Sequence, residues 1–176
     1  MYRSYVPDGS YQSRREYRDS LEQWLATISA DLFVTLSFAQ NARLAAARQS
    51  FRQWFARLDN YYLGRGWARR NSDERTFAIL IPENISTNLH YHCLMRLPSW
   101  GPTQRITNCA ATLERFWGRI VPRGTCDVEP IYDLAGAARY VVKQLVRPGH
   151  HEHYLLASEF HSEGVKPDGR PSRSPR

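Results

Sequence analysis

His90 and His92 stand two residues apart in the segment Leu89-His90-Tyr91-His92-Cys93-Leu94-Met95-Arg96-Leu97. Alternation puts Leu89, Tyr91, Cys93, Met95 and Leu97 on one side, and His90, His92, Leu94 and Arg96 on the other, as in a half-buried strand. On such a strand two imidazoles lie about 6–7 Å apart along one face, close enough to share one cation. The same pattern also fits two histidines on an exposed sheet face. A two-histidine site needs a third ligand, and Glu83 ends the preceding apolar run. An antiparallel hairpin turning around residues 82–88 would bring Glu83 beside His90. Oxygen and imidazole ligands suit Mn2+ or Mg2+ working on a phosphate better than a closed structural zinc site. A second pair, His151 and His153, follows Pro148-Gly149 and reads as a polar connector.

Of 24 cationic side chains only Lys143 and Lys166 are lysines. Lys166 falls in a Pro/Gly/Ser/Arg-rich stretch. Lys143 follows Tyr140 by three residues in a helical segment, so the two share a face. Val141, Val142, Leu145 and Val146 can supply the packing face, which leaves Tyr140 and Lys143 free to look elsewhere. The alternative is a tyrosine at the helix–sheet boundary with its lysine in water. A phenol is a poor nucleophile near neutral pH because its pKa is near 10. A nearby cation favours the phenolate and steadies a phosphoryl oxygen.

These groups need elements to position them. The chain has 176 residues, 42% of them hydrophobic and 12% aromatic, enough for one folded domain. Residues 1–15 read as a loose arm and 161–176 as a flexible tail, with the domain at 16–160. Helical spacing covers 16–29, 42–63 (capped by Asn41 and stopped by Gly64), 104–120 and 135–146. Strands are expected at 32–38, 76–81, 89–97 and 126–132, with a last short one in 153–160. The order β-α-β-β-α-β plus an extra helix is the split-βαβ, ferredoxin-like pattern. The fold class is therefore α+β: an antiparallel sheet with helices on one face and the histidines on the other.

A net charge of +7 favours an anionic partner. Residues 64–75 carry Arg65, Arg69, Arg70 and Arg75 beside Trp67, a stacking surface for an unpaired base. Arg96 adds a cation on the histidine face, and Arg14, Arg15 and Arg18 form a second cluster. The alternative for these charges is plain solvation, partly offset by Asp73 and Glu74. No run approaches the about 18 uncharged apolar residues of a spanning helix, and the Arg- and Tyr-rich start has no signal-peptide core. Cys93, Cys109 and Cys126, odd in number and widely spaced, read as reduced, buried thiols of a cytoplasmic protein.

In this order, the motifs resemble the HUH endonuclease superfamily, specifically the single-tyrosine rolling-circle replication initiators (Rep proteins). The likeness spans about residues 32–145. Phe33-Val34-Thr35-Leu36-Ser37-Phe38 is similar to the family's first motif, His90-Tyr91-His92 to its histidine motif and Tyr140-Val141-Val142-Lys143 to its Y-x-x-K motif. The resemblance implies a metal-dependent nick in single-stranded DNA at an origin stem-loop. Glu83, His90 and His92 would hold the Mn2+ or Mg2+ ion, Tyr140 would form a 5′-phosphotyrosine link, and Lys143 would stabilise phosphate charge. A prokaryotic host or mobile element such as a plasmid is the implied setting. There is no G-x-x-x-x-G-K-[ST] loop, so unwinding is expected from a host helicase or a further segment, with a host polymerase extending the free end. Ser37 stands where the family often has Thr. Gln144, four residues after Tyr140, also fits the single-tyrosine transposases of insertion sequences. A non-catalytic single-strand-binding module on the same sheet is the reading from a different class.

Overall fold

The structure, a computed structural model, describes residues 11–38, 42–98, 106–145 and 153–161. Asn41, Val146, His151 and Lys166 lie outside the described residues. The elements are α1 (Tyr11–Ala26), β1 (Leu32–Ser37), α2 (Leu44–Leu63), β2 (Phe77–Glu83), β3 (His90–Arg96), α3 (Ile106–Ile120), β4 (Cys126–Pro130), α4 (Leu134–Leu145) and β5 (Leu155–Leu156). Short 3-10 turns occupy Gly64–Arg69, Ser72–Glu74 and Ala157–Phe160. The expected α+β class is what the chain forms. Its five-stranded sheet runs β4-β1-β3-β2-β5, and every pairing is antiparallel. β3 therefore sits between β1 and β2, as in a split β-α-β unit.

One sheet face carries Leu32, Val34, Leu36, Ala78, Leu80, Tyr91, Cys93 and Met95 against α2 and α3. Rings interlock there: Phe51 meets Tyr91 edge-on at 4.7 Å and Phe38 meets Trp117 at 5.2 Å. The Trp54 indole N–H donates to the Leu113 carbonyl at 3.2 Å, so this buried polar group is satisfied. Cys93 and Cys109 are buried and all three cysteines are free thiols. Burial pushes the Cys93 thiol up, which makes it inert.

The sequence pattern puts helices on one face and the histidines on the other, and here the structure differs. Ile79, Ile81, Phe33 and Leu94 project from the histidine face and are covered by Leu21 and Leu25 of α1 and by Ala138, Val141, Val142 and Leu145 of α4. The cause is β2. Phe77-Ala78-Ile79-Leu80-Ile81 is apolar without alternation, the signature of a strand buried on both faces. Helices thus lie on both sides of the sheet, and the histidines occupy the part of this face beside α4.

Boundaries shift in ways that have local causes. α1 begins at Tyr11, so residues 11–15 belong to a helix and not to a loose arm. α2 stops as expected at Gly64, whose φ of 73° a residue with a Cβ rarely adopts. β4 ends at Pro130, a residue tolerated on an edge strand because it has no N–H to give. Asp133 caps α4 by accepting from the Gly136 N–H at 2.9 Å. At the other end His161, expected to start a flexible tail, is tied down: its ring bonds the Ser72 hydroxyl at 2.7 Å and its carbonyl accepts from Arg75 at 3.2 Å.

Candidate metal centre

The β2–β3 hairpin builds the site. Its register pairs Glu83 with His90 and Ile81 with His92, so Glu83, His90 and His92 share one face. The turn between the strands is tight: Asn84 sits at φ 52°, a region Asn tolerates, and its carbonyl accepts from Thr87 and Asn88, both at 3.1 Å. The result is one carboxylate oxygen between two imidazoles. Glu83 Oε2 is 3.0 Å from His90 Nε2 and 2.7 Å from His92 Nε2. Ligand atoms of all three residues lie within 4.8 Å of one another, the spacing a single metal ion requires. The side chains are 16%, 19% and 7% exposed respectively, so the group is recessed but reachable.

Each ligand is held from behind. The His90 Nδ1–H donates to the Asn88 carbonyl at 2.8 Å. His92 Nδ1 is 3.2 Å from the Thr35 hydroxyl, its register partner on β1. Gln144 of α4 donates its amide N–H to Glu83 Oε1 at 3.0 Å, and its own carbonyl oxygen is buried without a hydrogen-bond partner. Bonds of this kind fix the orientation of a metal-binding ring or carboxylate. Burial alone would raise the Glu83 pKa, but the bonds and charges of His92 and His90 outweigh it and hold the carboxyl below its ordinary value.

The donor set fits a divalent cation. His90 spends its Nδ1 proton on Asn88, so a neutral ring turns the lone pair of Nε2 toward an ionised carboxylate. That approach is favourable only with a cation or an extra proton between them. Tyr140 stands beside His92: its ring centre is 5.2 Å from that of His92 and 5.8 Å from that of Phe33, T-shaped with both. Tyr140 is 48% exposed, while Val141, Val142 and Leu145 of the same helix are buried, the division the sequence suggested. Lys143 is exposed in the last turn of α4 and forms no hydrogen bond or ion pair among the described residues.

The arginine-rich segment is another matter. Trp67, expected to offer a stacking surface, is buried at 2% exposure against Ala56 and Leu63. Arg75, expected to meet an anion, is also buried. Its Nε donates to Asp59 at 2.8 Å, and its guanidinium lies 4.7 Å over the Trp67 ring. The second Asp59 oxygen accepts from the Thr76 N–H at 2.8 Å, so the ion pair fastens α2 to the start of β2. Arg65, Arg69 and Arg70 are exposed, with Arg70 paired to Glu74 at 3.1 Å. They follow α2, which covers the sheet face opposite the histidines. Arg96 shares the histidine face by alternation, its guanidinium 6.0 Å from the Phe77 ring.

With this geometry in view, the chain was compared with protein-family models, curated proteins and solved structures. Nothing matches. What the structure itself brings together is the Glu83–His90–His92 cluster, with the Tyr140 ring beside His92.

Proposed function

We propose that this protein cuts and rejoins single-stranded DNA by transesterification, as a single-tyrosine HUH endonuclease initiating rolling-circle replication. The observation that carries the reading is the exposed Tyr140 in T-shaped contact with His92, a member of the Glu83–His90–His92 group. Glu83, His90 and His92 would hold a divalent cation, Mn2+ or Mg2+. When bound, it supplies Lewis-acid polarisation of the scissile phosphate. The Tyr140 oxygen forms a bond to phosphorus, the bond from phosphorus to the 3′-oxygen breaks, and the phenolic proton passes by way of solvent to that oxygen. The products are a 5′-phosphotyrosine and a free 3′-hydroxyl. Attack by a 3′-hydroxyl from another strand reverses the step and frees Tyr140, so joining needs no ATP. Lys143, one helical turn beyond Tyr140, brings a compact ammonium to the phosphate. An origin stem-loop is the substrate this reading calls for, with a separate helicase and polymerase to use the 3′ end.

A second reading has an observation of its own. Gln144 contacts the Glu83 carboxylate, and a glutamine four residues after the tyrosine marks the transposases of insertion sequences. Both readings share the chemistry and differ in the DNA.

Protein incubated with Mn2+ and single-stranded stem-loop oligonucleotides should yield a covalent adduct stable on a denaturing gel. Tyr140→Phe should yield none, and His92→Ala should abolish it while DNA binding persists. Binding without an adduct in wild type, across loops of varied sequence, would favour the non-catalytic module.

A further inference from the structure

Beside Tyr140, the site face continues into an open, shallow cleft of about 460 Å3. Phe33, Ile131, Tyr132 and Tyr140 line it together with Glu129, and its surface is chiefly apolar. Phe33 joins the cleft to the metal group: its ring stacks on His92 at 5.5 Å and receives the edge of Tyr140. Tyr132 also lines the cleft and is 91% exposed.

Two carboxylates belong to the lining, and they differ. Asp133 is occupied with the N-terminus of α4 and lies 3.7 Å from Arg139. Glu129, the register partner of Phe33 on β1, is exposed and its carboxylate has no hydrogen bond or ion pair among the described residues. An ionised carboxylate repels phosphate and accepts from amino groups. Aromatic rings accept the flat face of any base. A cleft with both excludes a sugar-phosphate backbone and suits a base with an exocyclic amine.

We infer that this cleft is a nucleobase subsite, in which Glu129 selects an amino-bearing base next to the phosphate that Tyr140 attacks. The inference rests on the nicking reading for the position of that phosphate. Cytosine offers its N4 amine to Glu129, whereas thymine would set its O4 carbonyl against the carboxylate, acceptor against acceptor. Tyr132 closes over the base as a stacking plate.

Fluorescence anisotropy with the full chain in Mn2+ buffer tests this, using labelled dC10 and dT10, two pyrimidine strands that differ in the group offered to Glu129. Wild type should bind dC10 about fivefold or more tightly than dT10. Glu129→Gln keeps the size, loses the charge and can donate to a carbonyl, so the preference should fall below about twofold. Tyr132→Ala should weaken both strands by about fivefold or more with little change in their ratio. No preference in wild type, or an undiminished one in Glu129→Gln, overturns the subsite. The adduct assay run in parallel keeps the two ideas apart. An adduct without Glu129-dependent selectivity sinks the subsite alone. Selectivity without an adduct sinks the nicking reading and supports the cleft as a base site.

Discussion

Glu83 bonds His90 and His92 through Oε2 and Gln144 through Oε1. The two histidines and the glutamate could be read from the sequence because strand geometry links them rigidly. A period of two sets the histidines on one face, and a short hairpin returns Glu83 to their level. Thr35 and Gln144 could not be assigned their roles the same way, since their contacts cross from other elements and no local period encodes them. The Thr35–His92 pairing depends on which strand lies beside β3, a choice made by the whole sheet. Gln144→Ala should weaken Mn2+ binding by about 10–100-fold, measured by calorimetric titration, because the freed carboxylate loses its orientation. An unchanged affinity would reduce Gln144 to packing.

At the scale of elements, the strands and all four described helices were legible from periodicity, α1 with its bounds shifted, and the helices' distribution over two faces was not. Alternation in β3 drew attention to one half-polar face, while the unbroken apolar run of β2 carried the opposite message. Residues 64–75 look like a basic loop because composition counts Arg75 and Trp67 as surface chemistry. The Asp59 carboxylate, sixteen residues earlier and fully buried, converts them into an internal tie. His161 closes that tie. Burial first, and then the charge of Arg75, push its pKa from 6.5 down to about 4. On acidification the unfolded chain takes up a proton near pH 6.5 that the folded chain refuses until about pH 4, so His161 lowers stability as pH falls through that window. Urea midpoints at pH 7 and pH 4.5 should therefore differ more for wild type than for His161→Asn. An equal difference in the two proteins would show that His161 does not couple the segment to pH.

Over the whole molecule, the proposed reading gives the +7 charge the task of holding DNA and the recessed Glu83–His90–His92 group the task of cutting it. Arg65, Arg69 and Arg70 are exposed just after α2, which packs on the sheet face opposite the histidines, so on the proposed reading they would add affinity without touching the chemistry. Replacing all three with Ala should lower the slope of log affinity against log salt by about 1–2 for single-stranded DNA, with adduct formation retained at low salt. An unchanged slope would remove this segment from the footprint. No described helix is long and apolar enough to cross a membrane. The central claim is that one tyrosine on α4 becomes covalently linked to a DNA 5′ end. Mass spectrometry of the protease-digested adduct measures it most directly. The account predicts a nucleotide 5′-phosphate on Tyr140, in the peptide that also carries Val141 and Val142. A nucleotide on Tyr132 or Tyr154, or on no tyrosine at all, would contradict it.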